Sequence, residues 1–386
     1  MKQLHCLTRP LRPSLFHFVS SHLRTTAVPH TPPCDSDHAA FARRHFSTTP
    51  VARAQVMQVF SRQVKRRQRD RAASNPENSR VVDYLRAEVA DRLIERLLLI
   101  ARNHDTMIDL GAGAGSIEQA ICGEREDPND KAVLQSRLGR IIMTEMSEKL
   151  LYRDADPEKF SFNRELDITR VQTDEEVLFT AELLSAIRGA PVAKTEVSDF
   201  QFENTVNTVI SNMSIHWVND LPGLLQKIKY MLVPDGLFIA SMCGGDSLFE
   251  LRTALQIAEM DVYGRIAPRL SPLADVRDMG GLMQQAGYNL ITVDVDDIIV
   301  SYPDMMSLMR DLRDMGESNA VLNRPHYLPR KLIEAAEKVY KDMHANDDGS
   351  LPATFRIIYM IGWKPSPNQP KPLERGTADV SFKDIL

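Results

Sequence analysis

Seven residues constrain this chain more than the rest of it: Asp109-Leu110-Gly111-Ala112-Gly113-Ala114-Gly115. They follow Thr106-Met107-Ile108 and lead into Ser116-Ile117-Glu118-Gln119-Ala120-Ile121, which reads as the first turns of a helix. A strand, a glycine turn and a helix start form a platform where a ligand approaches bare backbone. Gly111 and Gly113 carry no side chain to block that approach, and Gly115 lets the helix begin close to the strand. The pattern departs from the dinucleotide fingerprint, because an acidic residue stands at the strand end before the glycines. A carboxylate there suits a cationic ligand better than a phosphate. S-adenosylmethionine, with a sulfonium, an amino group and no phosphate, meets that requirement. A second acidic strand end, Glu145 after Ile141-Ile142-Met143-Thr144, lies where α/β nucleoside sites place a carboxylate on ribose hydroxyls. An ordinary tight turn and a plain polar strand end are the simpler readings of the same residues.

The rest of the chain alternates in the same way. Strands are expected at 106–110, 140–145, 168–172, 206–211 and 237–242, with later ones over Leu290–Val300 and Thr354–Trp363. A helix runs from Leu221-Pro222-Gly223 to Leu232, stopped by Val233-Pro234-Asp235-Gly236. This alternation predicts a largely parallel α/β sheet covered on both faces. Helical stretches within 246–287 and 303–345 predict a cap over its C-terminal edge. Residues 80–101 read as one amphipathic helix through Val81, Leu85, Val89, Leu93 and Leu97. The stretch 56–71 holds Arg62, Lys65, Arg66, Arg67 and Arg69 and predicts a helix with a strongly positive face. That face is either solvated or bound to anionic lipid or an acidic partner. The charged stretch Glu124–Arg137 and the irregular 180–202 are expected to be surface loops.

Composition narrows the class. The 386 residues are 43% hydrophobic and 26% charged, as in an ordinary globule. The net charge of -5 gives no reason to expect nucleic acid. Cys6, Cys34, Cys122 and Cys243 form no close pair, which argues against a disulfide framework or a zinc site. The first fifty residues differ, with Lys2, Arg9, Arg12, Arg24, Arg43 and Arg44 against only Asp35 and Asp37. That is the composition of a mitochondrial transit peptide, with processing near Phe46.

In a doubly wound sheet ligands sit outside the C-terminal strand ends. This places Ser211, Asn212, His216, Trp217, Gly244, Gly245 and Asp246 around the reactive end of the cofactor. Asn212 could orient a substrate through its amide. His216 is a candidate general base, or a structural histidine at a strand end. Asp246 and Glu250, four apart on an expected helix, could grip a guanidinium, although Ser247-Leu248-Phe249-Glu250 is also a capping box. Glu317 and Asn319 are further polar candidates in the cap. Past the leader, His104, His216, His326 and His344 give no His-x-Asp or His-x-Glu pair, so no protein metal site is expected.

Several motifs narrow the family. These are Phe60-Ser61-Arg62, Asp83-Tyr84-Leu85, Ser214-Ile215-His216-Trp217-Val218-Asn219-Asp220-Leu221-Pro222 and Gly244-Gly245-Asp246-Ser247-Leu248-Phe249-Glu250-Leu251-Arg252. Asp314-Met315-Gly316-Glu317-Ser318-Asn319 and Glu374-Arg375-Gly376-Thr377-Ala378-Asp379-Val380-Ser381-Phe382 complete the set. From about residue 59 onward the chain resembles the mitochondrial assembly factor 5 family of respiratory complex I. More remotely it is similar to carrier-protein methyltransferases of biotin synthesis. The resemblance implies a class I methyltransferase (Rossmann-like) fold: a seven-stranded, mostly parallel sheet with a helical N-terminal extension and a helical cap. It implies hydroxylation of an arginine on a complex I subunit, in the mitochondrial matrix and peripheral to the inner membrane. Its cofactor motifs map onto Asp109, Gly111, Gly113, Gly115 and Glu145, with Asp174 and Glu175 near the adenine. The implied organisation is a leader (1–50), basic and amphipathic helices (56–104), an S-adenosylmethionine-binding core (105–245), cap helices with the last strands (246–364), and a tail (365–386). The residues by themselves favour methyl transfer, and the resemblance favours hydroxylation. A non-catalytic assembly chaperone is the third reading.

Overall fold

The computed structural model describes Leu4–His5 and residues 57–371 apart from residue 126. The expected leader, except Leu4 and His5, and the tail motif 374–382 lie outside the described residues. Among the described residues seven long strands make up the body of the sheet: β1 (His104–Leu110), β2 (Leu138–Glu145), β3 (Asp167–Gln172), β4 (Val206–Asn212), β5 (Leu232–Cys243), β6 (Asn289–Tyr302) and β7 (Leu351–Trp363). Their order is β6-β7-β5-β4-β1-β2-β3. The run from β3 to β5 is parallel, and β7 is antiparallel to both its neighbours. Leu4–His5 adds a short antiparallel rung beside β6.

Central strands covered on both faces must be apolar throughout. Ile141, Ile142 and Met143 are accordingly buried, as are Leu237, Phe238, Ile239 and Ala240. The chain order reverses at β1, which lies between β2 and β4. A crevice opens outside the strand ends at such a reversal.

The helices are α1 (Arg62–Ala73), α2 (Pro76–Val81), α3 (Tyr84–Leu98), α4 (Ser116–Cys122), α5 (Pro128–Arg137), α6 (Glu148–Leu151), α7 (Phe162–Glu165), α8 (Ala181–Arg188), α9 (Leu221–Met231), α10 (Phe249–Tyr263), α11 (Val276–Ala286), α12 (Met305–Asp314) and α13 (Arg330–His344). Among the described residues no helix is long and apolar enough to cross a membrane. The expected helix over 80–101 breaks near its start. Val81 ends α2 and is 70% exposed, and α3 begins afresh at Tyr84. Leu85, Val89, Leu93 and Leu97 do form the buried stripe. Burying each such side chain contributes about 1.5–3 kcal/mol.

The two expected surface loops are ordered. Residues 128–137 form α5, capped by Asp127 and anchored by the buried Leu134. Residues 181–188 form α8, capped by Thr180, with Leu183 and Leu184 buried. Phe202 follows and stacks on Phe179, ring centroids 4.6 Å apart. Charged outward faces hide these few inward apolar positions in the sequence. The cap also differs from expectation. α10, α12 and α13 contribute to one buried cluster, while α11 packs beside α9 in another.

Leu93 is fully buried at the centre of the α3 stripe. Leu93→Ala should lower stability by about 2–5 kcal/mol in urea unfolding.

Candidate functional site

The loop after β1 needs its glycines. Gly111, Gly113 and Gly115 have φ of 73°, 61° and 98°, a region L side chains rarely adopt. Space forbids side chains as well. A Cβ on Gly111 would lie 2.0 Å from Ser214 Oγ, and one on Gly113 would lie 2.6 Å from Arg86 Nη1. The Gly111 and Ala112 amides donate to the Thr144 carbonyl at 2.8 and 2.9 Å. The Gly113 amide donates to Glu145 Oε2 at 3.3 Å. The loop is thereby tied to the end of β2.

Below the loop, Asp109 is fully buried, and neither carboxylate oxygen has a hydrogen-bond partner. Glu118 on α4 is in the same condition. Burial, then Glu118, pushes the Asp109 pKa well up. Burial raises Glu118 to about 7.

The remaining acids are not bare. Glu145 ends β2, and Asp174 and Glu175 follow β3. Arg69 of α1 reaches into this hollow, where Nη1 donates to Glu145 Oε1 at 2.9 Å and Oε2 at 3.0 Å. The same nitrogen lies 3.2 Å from Glu175 Oε1, and Nη2 donates to Ser214 Oγ at 3.0 Å. Ser214 Oγ in turn donates to Glu175 at 2.6 Å. Arg62 donates to Asp174 Oδ1 at 2.8 Å and also to Glu175. Burial alone would raise the Glu175 pKa, but Arg62 and Arg69 outweigh it and hold it at about 2.

Arg62, Lys65 and Arg69 share one face of α1, at helical spacing. The expected positive face is therefore split. These three point inward to the chain's own acids, and Arg66, Arg67 and Arg71 remain exposed.

Lys65 carries α1 across to the cap. It is fully buried, its Nζ donates to the Gly316 and Ser318 carbonyls at 3.0 Å each, and it lies 3.2 Å over the Trp217 ring. Burial lowers its pKa to about 7. Its nearest acid is Glu317, at 3.8 Å. Glu317 also accepts from Trp217 Nε1 at 2.5 Å and Arg86 Nη2 at 3.2 Å, and lies 3.6 Å from His216 Nε2. Burial opposes its ionisation, yet Lys65, His216 and Arg86 hold its pKa below the usual carboxylate range.

Beside this cluster is a cavity of about 200 Å³ with Leu251, Leu255, Met315 and Phe355 in its walls and Glu317, His216 and Trp217 at its polar end. A second cavity, of about 310 Å³, adjoins it across Met213 and Glu317 and reaches Ala114 and Ser116 of the glycine loop.

The other residues singled out from the sequence fare unevenly. His216 is buried on the short turn Ile215–Trp217, lines the apolar cavity, and has no partner on Nδ1. Burial lowers its pKa below the ordinary 6.5, against the pull of Glu317. Ser211 is spent on structure, its Oγ donating to the Leu110 carbonyl at 2.7 Å. The Asn212 amide is spent too. Its Nδ2 donates to Arg86 O and Ser116 Oγ at 2.9 Å, and its Oδ1 accepts from Ser241 Oγ at 2.9 Å. It ties α3, α4 and β5 together rather than orienting a ligand.

Asp246 and Glu250 do not converge. α10 starts at Phe249, after Leu248 in a left-handed conformation, so Asp246 precedes the helix. Its side chain is 68% exposed and pairs with Arg356. Glu250 is buried and accepts from the Thr354 amide and hydroxyl. The capping box is absent as well, because Ser247 Oγ donates to the Arg356 carbonyl at 3.0 Å. Sequence reasoning missed the inward roles of Arg62, Lys65, Arg69 and Arg86. The spacing of the first three was the available signal.

Comparison with known proteins fits this arrangement. Residues 81–293 match the family described as "Methyltransferase domain". "Arginine-hydroxylase NDUFAF5, mitochondrial" of Danio rerio is 41% identical over 331 residues, covering 86% of this chain and 90% of that protein. The Homo sapiens protein of the same name is 40% identical over 339 residues, covering 88% and 85%. This chain belongs to the NDUFAF5 family. A "Malonyl-[acyl-carrier protein] O-methyltransferase" of Methylovorus sp. is 29% identical over 319 residues, covering 82% of this chain and 93% of that protein. In this chain the segments 214–222 and 314–319 are those that bring His216, Trp217 and Glu317 together.

Glu118 gives the site a pH signature. Its folded pKa of about 7 stands above its ordinary 4.5, so the cost of burying its charge is absent at low pH and grows as pH rises from about 4.5 to 7. Glu118→Gln should reduce this decline and raise stability at pH 8 by about 3 kcal/mol, read by urea unfolding across pH 4.5–8.

Proposed function

We propose that this chain is a mitochondrial enzyme that hydroxylates an arginine on a subunit of respiratory complex I, with S-adenosylmethionine as its cofactor. The observation that carries the reading is the roughly 40% identity, over most of both chains, with proteins named arginine-hydroxylases. The site supports it. An arginine side chain is an aliphatic stem with a planar cationic end, and the apolar cavity offers Leu251, Leu255 and Phe355 to the stem and Glu317 to the guanidinium. His216 stays neutral at physiological pH because burial lowers its pKa, so its imidazole is ready to accept a proton.

The donor set fits the cofactor chemically. Asp109 has two unpartnered oxygens for a donor group, and Glu145 and Glu175 suit ribose hydroxyls. S-adenosylmethionine, when bound, supplies a sulfonium and an activated methyl group; neither oxidises carbon, so hydroxylation draws its oxygen from an external oxidant, dioxygen with a two-electron reductant. Methyl transfer is the second reading, favoured by the match to the methyltransferase domain. The basic, acid-poor first fifty residues support a mitochondrial matrix address. Exposed Arg66, Arg67 and Arg71 support peripheral contact with the anionic inner membrane.

Peptide mass mapping of complex I subunits should find one arginine peptide heavier by one oxygen in normal cells and unmodified in cells lacking the gene. Identical peptide masses in both would refute hydroxylation. A radiolabelled methyl group appearing in the same fraction would favour the second reading. His216→Asn should slow the modification by about 100-fold while leaving thermal unfolding near that of the parent.

A further inference from the structure

α1 is held in its place by charge. Its inward face presents Arg62, Lys65 and Arg69, and its apolar contribution is small: Ala72 and Ala73 are buried, and Val64 packs half-buried beside Phe60 and Trp217. Its three cations each sit on acids of the candidate site: Arg62 on Asp174 and Glu175, Arg69 on Glu145 and Glu175, Lys65 near Glu317. Arg69 thus fills the space beside Glu145 where ribose hydroxyls would have to lie.

We propose that α1 is a displaceable plug: its arginines and a nucleoside are alternative occupants of one acidic hollow, and its withdrawal also releases Glu317. The proposal rests on the cofactor reading above and adds the regulation of that site.

Three features support exchange. First, α1 leaves the hollow incompletely satisfied, because both Asp109 oxygens remain without a partner while Arg69 serves Glu145 and Glu175. A ligand bringing a further donor to Asp109 gains a bond that α1 cannot make. Second, a buried ion pair contributes little net because desolvation of both partners offsets it, and withdrawal of α1 returns its cations to water while opening the acids to water and to the ligand's donors. A segment lacking large buried apolar side chains lies at the low-stability end of a fold. Third, the segment has fixed points on either side. Asn219 Oδ1 accepts from the Val59 and Phe60 amides at 2.8 and 2.7 Å, and the Ser61 amide donates to Ala320 O at 2.9 Å. Beyond α1 the chain turns at Ser74–Asn75 into α2. Withdrawal of α1 breaks the Gln68–Asn319 and Asp70–Ser147 hydrogen bonds, and Val59–Phe60 and α2 then tether it on either side.

Because Lys65 is on the same face, Arg69 cannot withdraw by moving the whole helix without loosening Lys65 from Gly316 O and Ser318 O. That frees Glu317 of one of its cations and uncovers the Trp217 ring at the end of the apolar cavity. Nucleoside binding then precedes and permits entry of a substrate guanidinium.

Hydrogen exchange on the full chain tests this with S-adenosylhomocysteine as the probe. Amides of residues 64–73 should exchange at least tenfold faster with saturating probe, while those of 111–115 slow. Slower exchange over 64–73 would overturn the plug. Calorimetric titration gives an independent reading: Arg62→Gln/Arg69→Gln should bind the probe at least tenfold more tightly than the parent. Equal or weaker binding by the folded variant overturns the competition and leaves the cofactor reading standing. If neither chain binds, the cofactor reading falls and the competition falls with it. Should the variant fail to fold, the exchange experiment on the parent decides alone.

Discussion

The pairing of α1's cations with the acids at the strand ends is the interaction on which the rest of the site depends. Glu145, Asp174, Glu175 and Glu317 converge near the point where strand order reverses, and Glu145 and Glu175 are almost entirely removed from solvent. Leaving such charges unpaired costs several kcal/mol each. Arg62, Lys65 and Arg69 supply the compensation from one helical face. Asp109 shows the alternative outcome. Among the described residues no cation bonds to it, and burial with Glu118 outweighs the pull of Arg86 and drives it toward its neutral form instead.

The same pairing couples regions distant in sequence. α1 touches the β2 end through Arg69, the segment after β3 through Arg62, and the loop after α12 through Lys65 and Gln68. Glu317 collects Lys65 from α1, Arg86 from α3, and His216 with Trp217 from the turn after β4. The polar end of the apolar cavity is consequently assembled from four separate segments. A shift in any one of them changes the charge that Glu317 presents.

The parts legible in the sequence are those governed by local rules. The glycine loop was legible because positive φ and close approach leave few alternatives at Gly111, Gly113 and Gly115. The central strands were legible because two covered faces demand unbroken apolar runs. The inward face of α1 was half legible. Its charge was plain, but the partners lie 76 to 253 residues away, and no local pattern announces them. α5 was hidden because one buried leucine anchors an otherwise polar helix, and α8 because it is only two turns long and is followed by the Gly189-Ala190-Pro191 break. The pairing of Asp246 with Glu250 failed for a local reason: Leu248 takes a left-handed conformation and delays the helix, so four-residue spacing ceased to mean a shared face. Asn212 and Ser211 were correctly placed at a strand end, but their polar atoms are used up in holding neighbouring elements.

The arginines already present indicate what these carboxylates accept. Glu145 receives one guanidinium nitrogen on both oxygens, Glu175 is shared by two guanidinium groups, and Glu317 receives a third beside the apolar cavity. Planar forked donors and carboxylates match in geometry as well as charge. A frame shared with methyltransferases at the strand ends is therefore furnished, at its cap side, with a carboxylate whose neighbours already include a guanidinium. For a substrate arginine, the cavity's apolar wall leads the side chain to that carboxylate, and an oxidant from outside the chain must supply the inserted oxygen. His216 stands beside it, kept neutral by burial, and its second nitrogen is uncommitted.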